Sequence, residues 1–217
     1  MKLYVSPTSP YARLACIMCL EARLPDLDIV IVDPWQNPPE LARHNPALRV
    51  PTLVLGDGDA AQALTESLLI ADYAARNAVD AGDLWFADET ESRIGGLCLG
   101  IIDAAAAIMA GRMVTSGSLG DPAFDTSPVA GRRQAAIVRS LDSLEALLAE
   151  AATPPAARPC LAAFLPAVVV DYLEMRFGDL YETPARPHLA QTVQTVSTRP
   201  AVQRTRPLFT QFTPLDA

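Results

Sequence analysis

Histidine and cysteine are scarce in this chain: two of the former and four of the latter in 217 residues. His44 and His188 stand far apart, and neither has a His or Cys at metal-ligand spacing, so no metal site is expected. The same scarcity leaves a Ser-His-Asp triad little material to draw on. Cys16, Cys19, Cys98 and Cys160 are too few and too scattered to staple a domain of this length, and a reducing cytoplasm is the expected compartment. Basic residues are outnumbered, 17 Lys and Arg against 25 Asp and Glu, for a net charge of -8 and a pI of about 4.7. An acidic chain gains little from a phosphate backbone, so no nucleic acid partner is expected. No stretch of about 18 apolar residues is free of a charge or a breaker, so no membrane span is expected. Met1-Lys2-Leu3-Tyr4-Val5 lacks the long apolar run and small-residue cleavage site of a secretory leader. Aromatics are few, at 6%, while Ala is abundant, a balance that leans towards helix.

Half of the residues are hydrophobic and mean hydropathy is +0.19, enough to bury a sizeable core. The length allows one large domain or two small ones. In the first eighty residues strand-like and helix-like runs alternate. Residues 2–5 read as a strand; from Pro10 the apolar spacing becomes helical; residues 28–32 are a β-branched strand; Pro34, Pro38 and Pro39 break the chain into a loop and a short helix. Residues 51–55 and 62–64 flank the turn signal Gly56-Asp57-Gly58-Asp59 and form an antiparallel pair, because so short a connection cannot make a parallel crossover. A helix starts at Thr65-Glu66-Ser67. The order β-α-β-α-β-β-α gives a small mixed sheet of four strands. Residues 89–112 and 128–150 read as long helices, the second opened by Ser127-Pro128 as cap and first position, and further helices are expected around 164–177 and 187–196. The expected organisation is therefore residues 1–77 as an α/β domain, 78–88 as a linker, and 89–217 as an all-α domain.

The chemistry concentrates between the first strand and the first helix, at Ser9-Pro10-Tyr11-Ala12. The element order is similar to that of thioredoxin-like domains, whose redox members place Cys-Pro-Tyr-Cys there. Without sulfur at either end this site cannot exchange disulfides. It retains a hydroxyl at a helix N-terminus, where free N–H groups and the positive dipole end favour an anion. Such a pair would stabilise a bound thiolate and lower the pKa of a ligand's sulfur. Taken alone, Ser9 is better explained as a helix cap than as a catalytic group. Val50-Pro51 opens the third strand; in thioredoxin-like folds a cis proline stands here and leaves the preceding backbone free to pair with an extended peptide. At Glu66-Ser67 a carboxylate and a hydroxyl suit the α-amino acid end of a peptide, although a capped helix start with Thr65 or Ser67 as cap needs no ligand.

Taken together, Ser9-Pro10-Tyr11-Ala12-Arg13, Asn45-Pro46-Ala47-Leu48-Arg49-Val50-Pro51 and Thr65-Glu66-Ser67-Leu68-Leu69-Ile70 resemble the cytosolic glutathione S-transferase superfamily. Asp171-Tyr172-Leu173-Glu174-Met175-Arg176-Phe177 and Arg186-Pro187-His188-Leu189 are similar to the helical half of a bacterial, serine-type branch of it. The resemblance implies a thioredoxin-like N-terminal domain (βαβαββα) followed by an all-α domain, with glutathione as co-substrate. It implies a catalytic Ser9 that donates to the glutathione sulfur, and Val50 beside the cis Pro51 pairing with the cysteinyl backbone. Glu66 and Ser67 would hold the γ-glutamyl end, and Arg49 would reach the glycine carboxylate. It further implies a homodimer that conjugates glutathione to a small hydrophobic electrophile. The alternatives are a non-catalytic glutathione-binding or regulatory protein of the same fold, or a specialised lyase, isomerase or reductase. One departure from the family stands at the sixth helix, where Cys160 and Ala163 replace the usual capping box and Pro166 follows; a helix starting near Pro166, or kinked there, is expected. Cys16 and Cys19, one to two turns inside the first helix, are read as core. Trp35 is either a wall of the pocket or a loop anchor. Asp103 and Arg112 are read first as a solvated helix face and Met109 and Met113 as core, with contact to the second substrate the lesser reading of each.

Overall fold

In the computed structural model, which describes residues 1–79, 83–151, 155–182 and 185–207, the N-terminal apolar run becomes strand β1 (Lys2–Val5) inside a four-stranded sheet of order β2-β1-β3-β4. Strand β2 (Asp28–Ile31) lies parallel to β1 with Leu3 opposite Ile29. Strand β3 (Thr52–Leu55) runs antiparallel to β1 with Leu3 opposite Leu53, and β4 (Gln62–Thr65) runs antiparallel to β3 with Leu53 opposite Leu64. Alternation along the strands splits the core in two. Leu3, Val5 and Leu53 join helices α1 (Pro10–Glu21) and α3 (Ser67–Arg76), whereas Tyr4 and Val54 join Leu41 of the short helix α2 (Pro39–His44). The fold class read from the sequence, a thioredoxin-like sheet domain followed by helices, is the fold observed.

The helical half comprises α4 (Glu89–Ser116), α5 (Pro128–Glu150), α6 (Leu161–Phe177), α7 (Pro187–Val196) and the short α8 (Pro200–Arg204), the last absent from the sequence reading. Helix α4 begins on Asp88, whose carboxylate accepts from the Glu91 amide at 2.8 Å, and Glu91 in turn accepts from the Ala87 amide at 2.7 Å. The helix ends at Gly117, whose φ of 71° suits glycine and whose amide donates to Met113 O. Helix α4 carries a window of mean hydropathy 1.9 and is by length and composition alone long enough to cross a bilayer, although every such window includes Asp103, as the sequence expectation had it. Half of that window is buried against the neighbouring helices, so the helix is apolar because it is the core of the helical half.

Helix α6 corrects one expectation. It starts at Leu161, with Cys160 as N-cap, and continues through Pro166. Nearly every residue from Leu161 to Val170 is buried, and the run Val168-Val169-Val170 is helical, not extended. Packing on all sides therefore offsets the backbone hydrogen bond that Pro166 removes. The Leu161 amide donates to Leu84 O, and Arg158 and Cys160 both approach the Glu91 carboxylate, so the start of α6 is tied to the start of α4.

The N-terminus of α7 is capped from another helix. Glu145 on α5 accepts from the amides of His188 (3.0 Å) and Leu189 (2.9 Å) and contacts the His188 ring at 2.8 Å. Partial burial pushes the Glu145 carboxyl up, but the two amides and the His188 ring outweigh it and hold its pKa below the ordinary value. A carboxylate held low contributes stability that is present above its unfolded pKa and lost as the pH falls through the folded one. Glu145→Ala is expected to cost about 1 kcal/mol at neutral pH, the usual size of a lost cap, or roughly 2–4 °C in Tm. The wild-type advantage should shrink as the pH falls through the acidic range, which thermal unfolding against pH measures directly.

Candidate functional site

Ser9 takes the N-cap of α1 in extended conformation, φ -84° and ψ 120°, and its Oγ accepts from the Ala12 amide at 3.2 Å. Accepting leaves the hydroxyl proton free to be donated elsewhere. Pro10 at the first position has no N–H, and the Tyr11 amide lies within the first turn, where no intrahelical acceptor exists. The hydroxyl and the open helix end face a cavity of about 500 Å3 between the sheet domain and the helices. Its N-terminal wall is Ser6, Thr8, Ser9, Trp35, Arg49 and Val50; its helical wall is Ala106, Met109, Ala110, Leu119, Tyr172 and Arg176.

The Val50-Pro51 peptide is cis. Its approach is built by two buried polar residues. Asn45 donates from Nδ2 to Arg49 O (2.9 Å) and to Thr52 Oγ1 (3.0 Å), and accepts from the Ala47 amide at 3.0 Å; Thr52 Oγ1 donates to Arg49 O at 2.9 Å. With both carbonyl lone pairs of Arg49 engaged, the loop presents Val50 to the cavity. Outside the sheet ladders, among the described residues, no hydrogen bond reaches the Val50 N–H or C=O.

Pro51, Glu66 and Ser67 line a narrow cleft that adjoins the main cavity and shares Tyr11, Arg49 and Val50 with it. Neither Thr65 nor Ser67 caps α3: Glu66 holds the cap position without any side-chain cap bond, and Ser67 is the first helical residue. Glu66 has φ 71° and ψ 127°, a conformation that disfavours residues with a Cβ and costs about 1–3 kcal/mol. That strained backbone leaves the Glu66 carboxylate exposed and the Ser67 hydroxyl in the cleft. Arg49 Nη1 stands 3.5 Å from Glu66 Oε1; both side chains are well exposed, and a surface pair so placed contributes little. All six residues singled out in the sequence thus border either the cavity or the cleft that shares Tyr11, Arg49 and Val50 with it.

The remaining candidates sort clearly. Tyr11 donates to Asp103 at 2.5 Å; burial and then Asp103 push its pKa far up, so its proton is already engaged. Arg112 is held by both oxygens of Asp125 (2.9 and 2.5 Å) and by Leu119 O, which fixes the loop after α4 rather than facing the cavity. Gly111 makes this closure possible, since a Cβ there would stand 2.2 Å from the Phe124 ring. Met109 lines the cavity, whereas Met113 is not among its walls. Trp35 borders the cavity and is 53% exposed. Cys16 and Cys19 are fully buried free thiols whose pKa values burial raises, Cys19 to about 12, which suits core packing and not redox chemistry. Among the described residues no group of His, Cys, Asp and Glu could hold a metal. Sequence reasoning missed Tyr172 and Arg176 as cavity residues, although both lie in a stretch it had singled out.

Residues 3–81 match the family profile described as "Glutathione S-transferase, N-terminal domain". No curated protein sequence matches the chain significantly. Among solved structures, a glutathione S-transferase from Methylobacterium radiotolerans in complex with glutathione sulfonate is 26% identical, with a TM-score of 0.81 over 100% of this chain and 99% of that one. One from Methylobacillus flagellatus with glutathione bound is 28% identical, with a TM-score of 0.79 over 95% and 99%. A glutathione transferase family member from Pseudomonas fluorescens with bound glutathione is 26% identical, with a TM-score of 0.78 over 95% and 98%. Residues 3–81 thus resemble a glutathione S-transferase N-terminal domain, and the described fold, a thioredoxin-like domain followed by a helical region, is that of glutathione S-transferase structures.

Proposed function

We propose that the protein is a glutathione S-transferase of the serine type. The observation that carries this is the position of the Ser9 hydroxyl, at the open end of α1 and on the same cavity wall as Val50, whose backbone no hydrogen bond outside the sheet ladders reaches among the described residues. In this reading glutathione lies extended along the N-terminal wall. Val50 pairs with its cysteinyl backbone beside cis Pro51, Glu66 accepts from its ammonium, and Ser67 donates to the neighbouring carboxylate. Arg49 takes the glycine carboxylate. Ser9 then donates to the sulfur as thiolate, and the helix terminus adds its own field. The thiolate attacks a small hydrophobic electrophile seated against Ala106, Met109 and Ala110. Support comes also from the structural relatives, three of which were crystallised with glutathione or its sulfonate. The reading includes a cytoplasmic homodimer with residues 1–77 and 89–217 as its two domains. Light scattering at twice the 23.2 kDa chain mass checks the dimer.

A hydrogen bond to a charged group contributes about 1.5–3 kcal/mol, and one pKa unit corresponds to about 1.4 kcal/mol. Ser9→Ala is therefore expected to raise the pKa of bound glutathione by about one to two units. Near neutral pH conjugation should slow by about tenfold or more, while glutathione affinity changes less, because most of the peptide is held elsewhere. The measurement is the ultraviolet thiolate absorbance of bound glutathione against pH. Superimposed curves for wild type and Ser9→Ala would reduce Ser9 to a helix cap and favour a glutathione-binding protein without turnover.

A further inference from the structure

Arg176, in the last turn of α6, differs from the other buried or half-buried arginines. Arg13 is paired with Asp171, Arg112 with Asp125, Arg158 with Glu91, Arg186 with Asp142 and Arg199 with Glu21. Among the described residues no carboxylate pairs with Arg176, and its Nε is buried without a hydrogen-bond partner. Its guanidinium stands 6.0 Å from the centre of the Tyr172 ring, a contact that orients the group but does not neutralise it. Arg112, though tied to Asp125, adds further positive potential around Tyr172. Half-buried and, among the described residues, paired with no carboxylate, the guanidinium is open to an entering anion, and it matches a carboxylate in geometry as well as charge.

Position decides which anion. On the reading above, the two carboxylates of glutathione are met by Ser67 and Arg49 on the N-terminal wall and its cleft. Arg176 stands on the helical wall with Met109 and Ala110, where the second substrate lies. We propose that Arg176 is a specificity-determining residue that pairs with a carboxylate on the electrophile, so that the preferred second substrate is an apolar acid rather than a neutral hydrophobe. The inference rests on the glutathione transferase reading and narrows its substrate class.

The test compares pairs of product analogues that differ only in charge: S-(4-carboxybenzyl)glutathione against S-(4-carbamoylbenzyl)glutathione, and the short S-carboxymethyl against S-carbamoylmethyl pair. Glutathione itself is titrated alongside, all by calorimetry. For the wild type, the carboxylate of at least one pair should bind about tenfold or more tightly than its amide, with a preference that falls as salt is raised. Arg176→Gln should bring that ratio close to one while glutathione binds within about twofold of wild type. Arg176→Lys, which keeps the charge but loses the fork, should retain part of the preference. A wild-type ratio near one in both pairs, or a ratio that survives in Arg176→Gln, overturns the proposal while leaving the glutathione site standing. Loss of binding by glutathione itself in the wild type would instead overturn the transferase reading and this inference with it.

Discussion

Asp171→Ala is expected to lower stability by about 3–5 kcal/mol, the largest single effect predicted for this chain. Arg13 is 2% exposed, and its Nη2 lies 2.6 Å from Asp171 Oδ2 on α6 as an ion pair without hydrogen-bond geometry; Nη1 donates to Ala167 O at 3.3 Å, while Nε has no partner. Burial lowers the pKa of the guanidinium, and Asp171 is the principal influence raising it back. Removing Asp171 strands a buried cation, whereas removing both charges does not. Asp171→Leu combined with Arg13→Met should therefore fall within about 1 kcal/mol of wild type or exceed it. At roughly 2–4 °C per kcal/mol for a chain of this size, the single variant should lose about 6–20 °C in Tm. Denaturant unfolding of Asp171→Leu, of Arg13→Met and of the double variant, against wild type, gives the coupling energy directly. A single variant within about 1 kcal/mol of wild type would show that water reaches Arg13. The pair joins α1, the helix that carries Ser9, to the helix that carries Tyr172 and Arg176. The loosened Asp171→Ala protein should thus also bind glutathione analogues more weakly.

How much of this was legible in the sequence follows from how local each determinant is. Strand β1, the Ser9 cap and the Ser127-Pro128 start of α5 rest on residue types within a few positions of one another, and the structure places them where the sequence reading does. The six residues of the N-terminal wall and cleft were singled out through the resemblance to a known family, Arg49 by that route alone, and the structure places them around the cavity and the adjoining cleft. Helix α6 was misread because a thiol residue stands at its cap and a proline inside it; only burial against α1, α4 and α7 explains why it continues. Nothing in a glutamate announces a φ of 71°, so the strained start of α3 was illegible. Asn45 could be read as a turn residue, but its bonds to Arg49 O and Thr52 Oγ1 depend on a loop closing over seven positions. Met109, Tyr172 and Arg176 come from two helices far apart in the chain, and only tertiary packing brings them to one wall.

Glu66→Ala combined with Ser67→Ala is expected to weaken glutathione binding by about a hundredfold or more. Two hydrogen bonds to charged groups of the ligand are lost, each contributing about 1.5–3 kcal/mol, and every 1.4 kcal/mol is tenfold in Kd. The fold should survive for reasons visible at the site. Glu66 makes no cap bond to α3, its ion pair with Arg49 is loose and exposed, and the strain at φ 71° belongs to the backbone, so Ala carries it as Glu does. Freed from Glu66, Arg49 should be more available to the glycine carboxylate, so the two ends of the ligand are not equally affected. Removing the γ-glutamyl residue from the ligand should then cost the double variant much less than it costs wild type. Calorimetry with glutathione and with cysteinylglycine, on both proteins, completes the cycle. Additive losses would mean that the γ-glutamyl end is held elsewhere, and an unchanged affinity in the double variant would remove the cleft beside Pro51 from the binding site altogether.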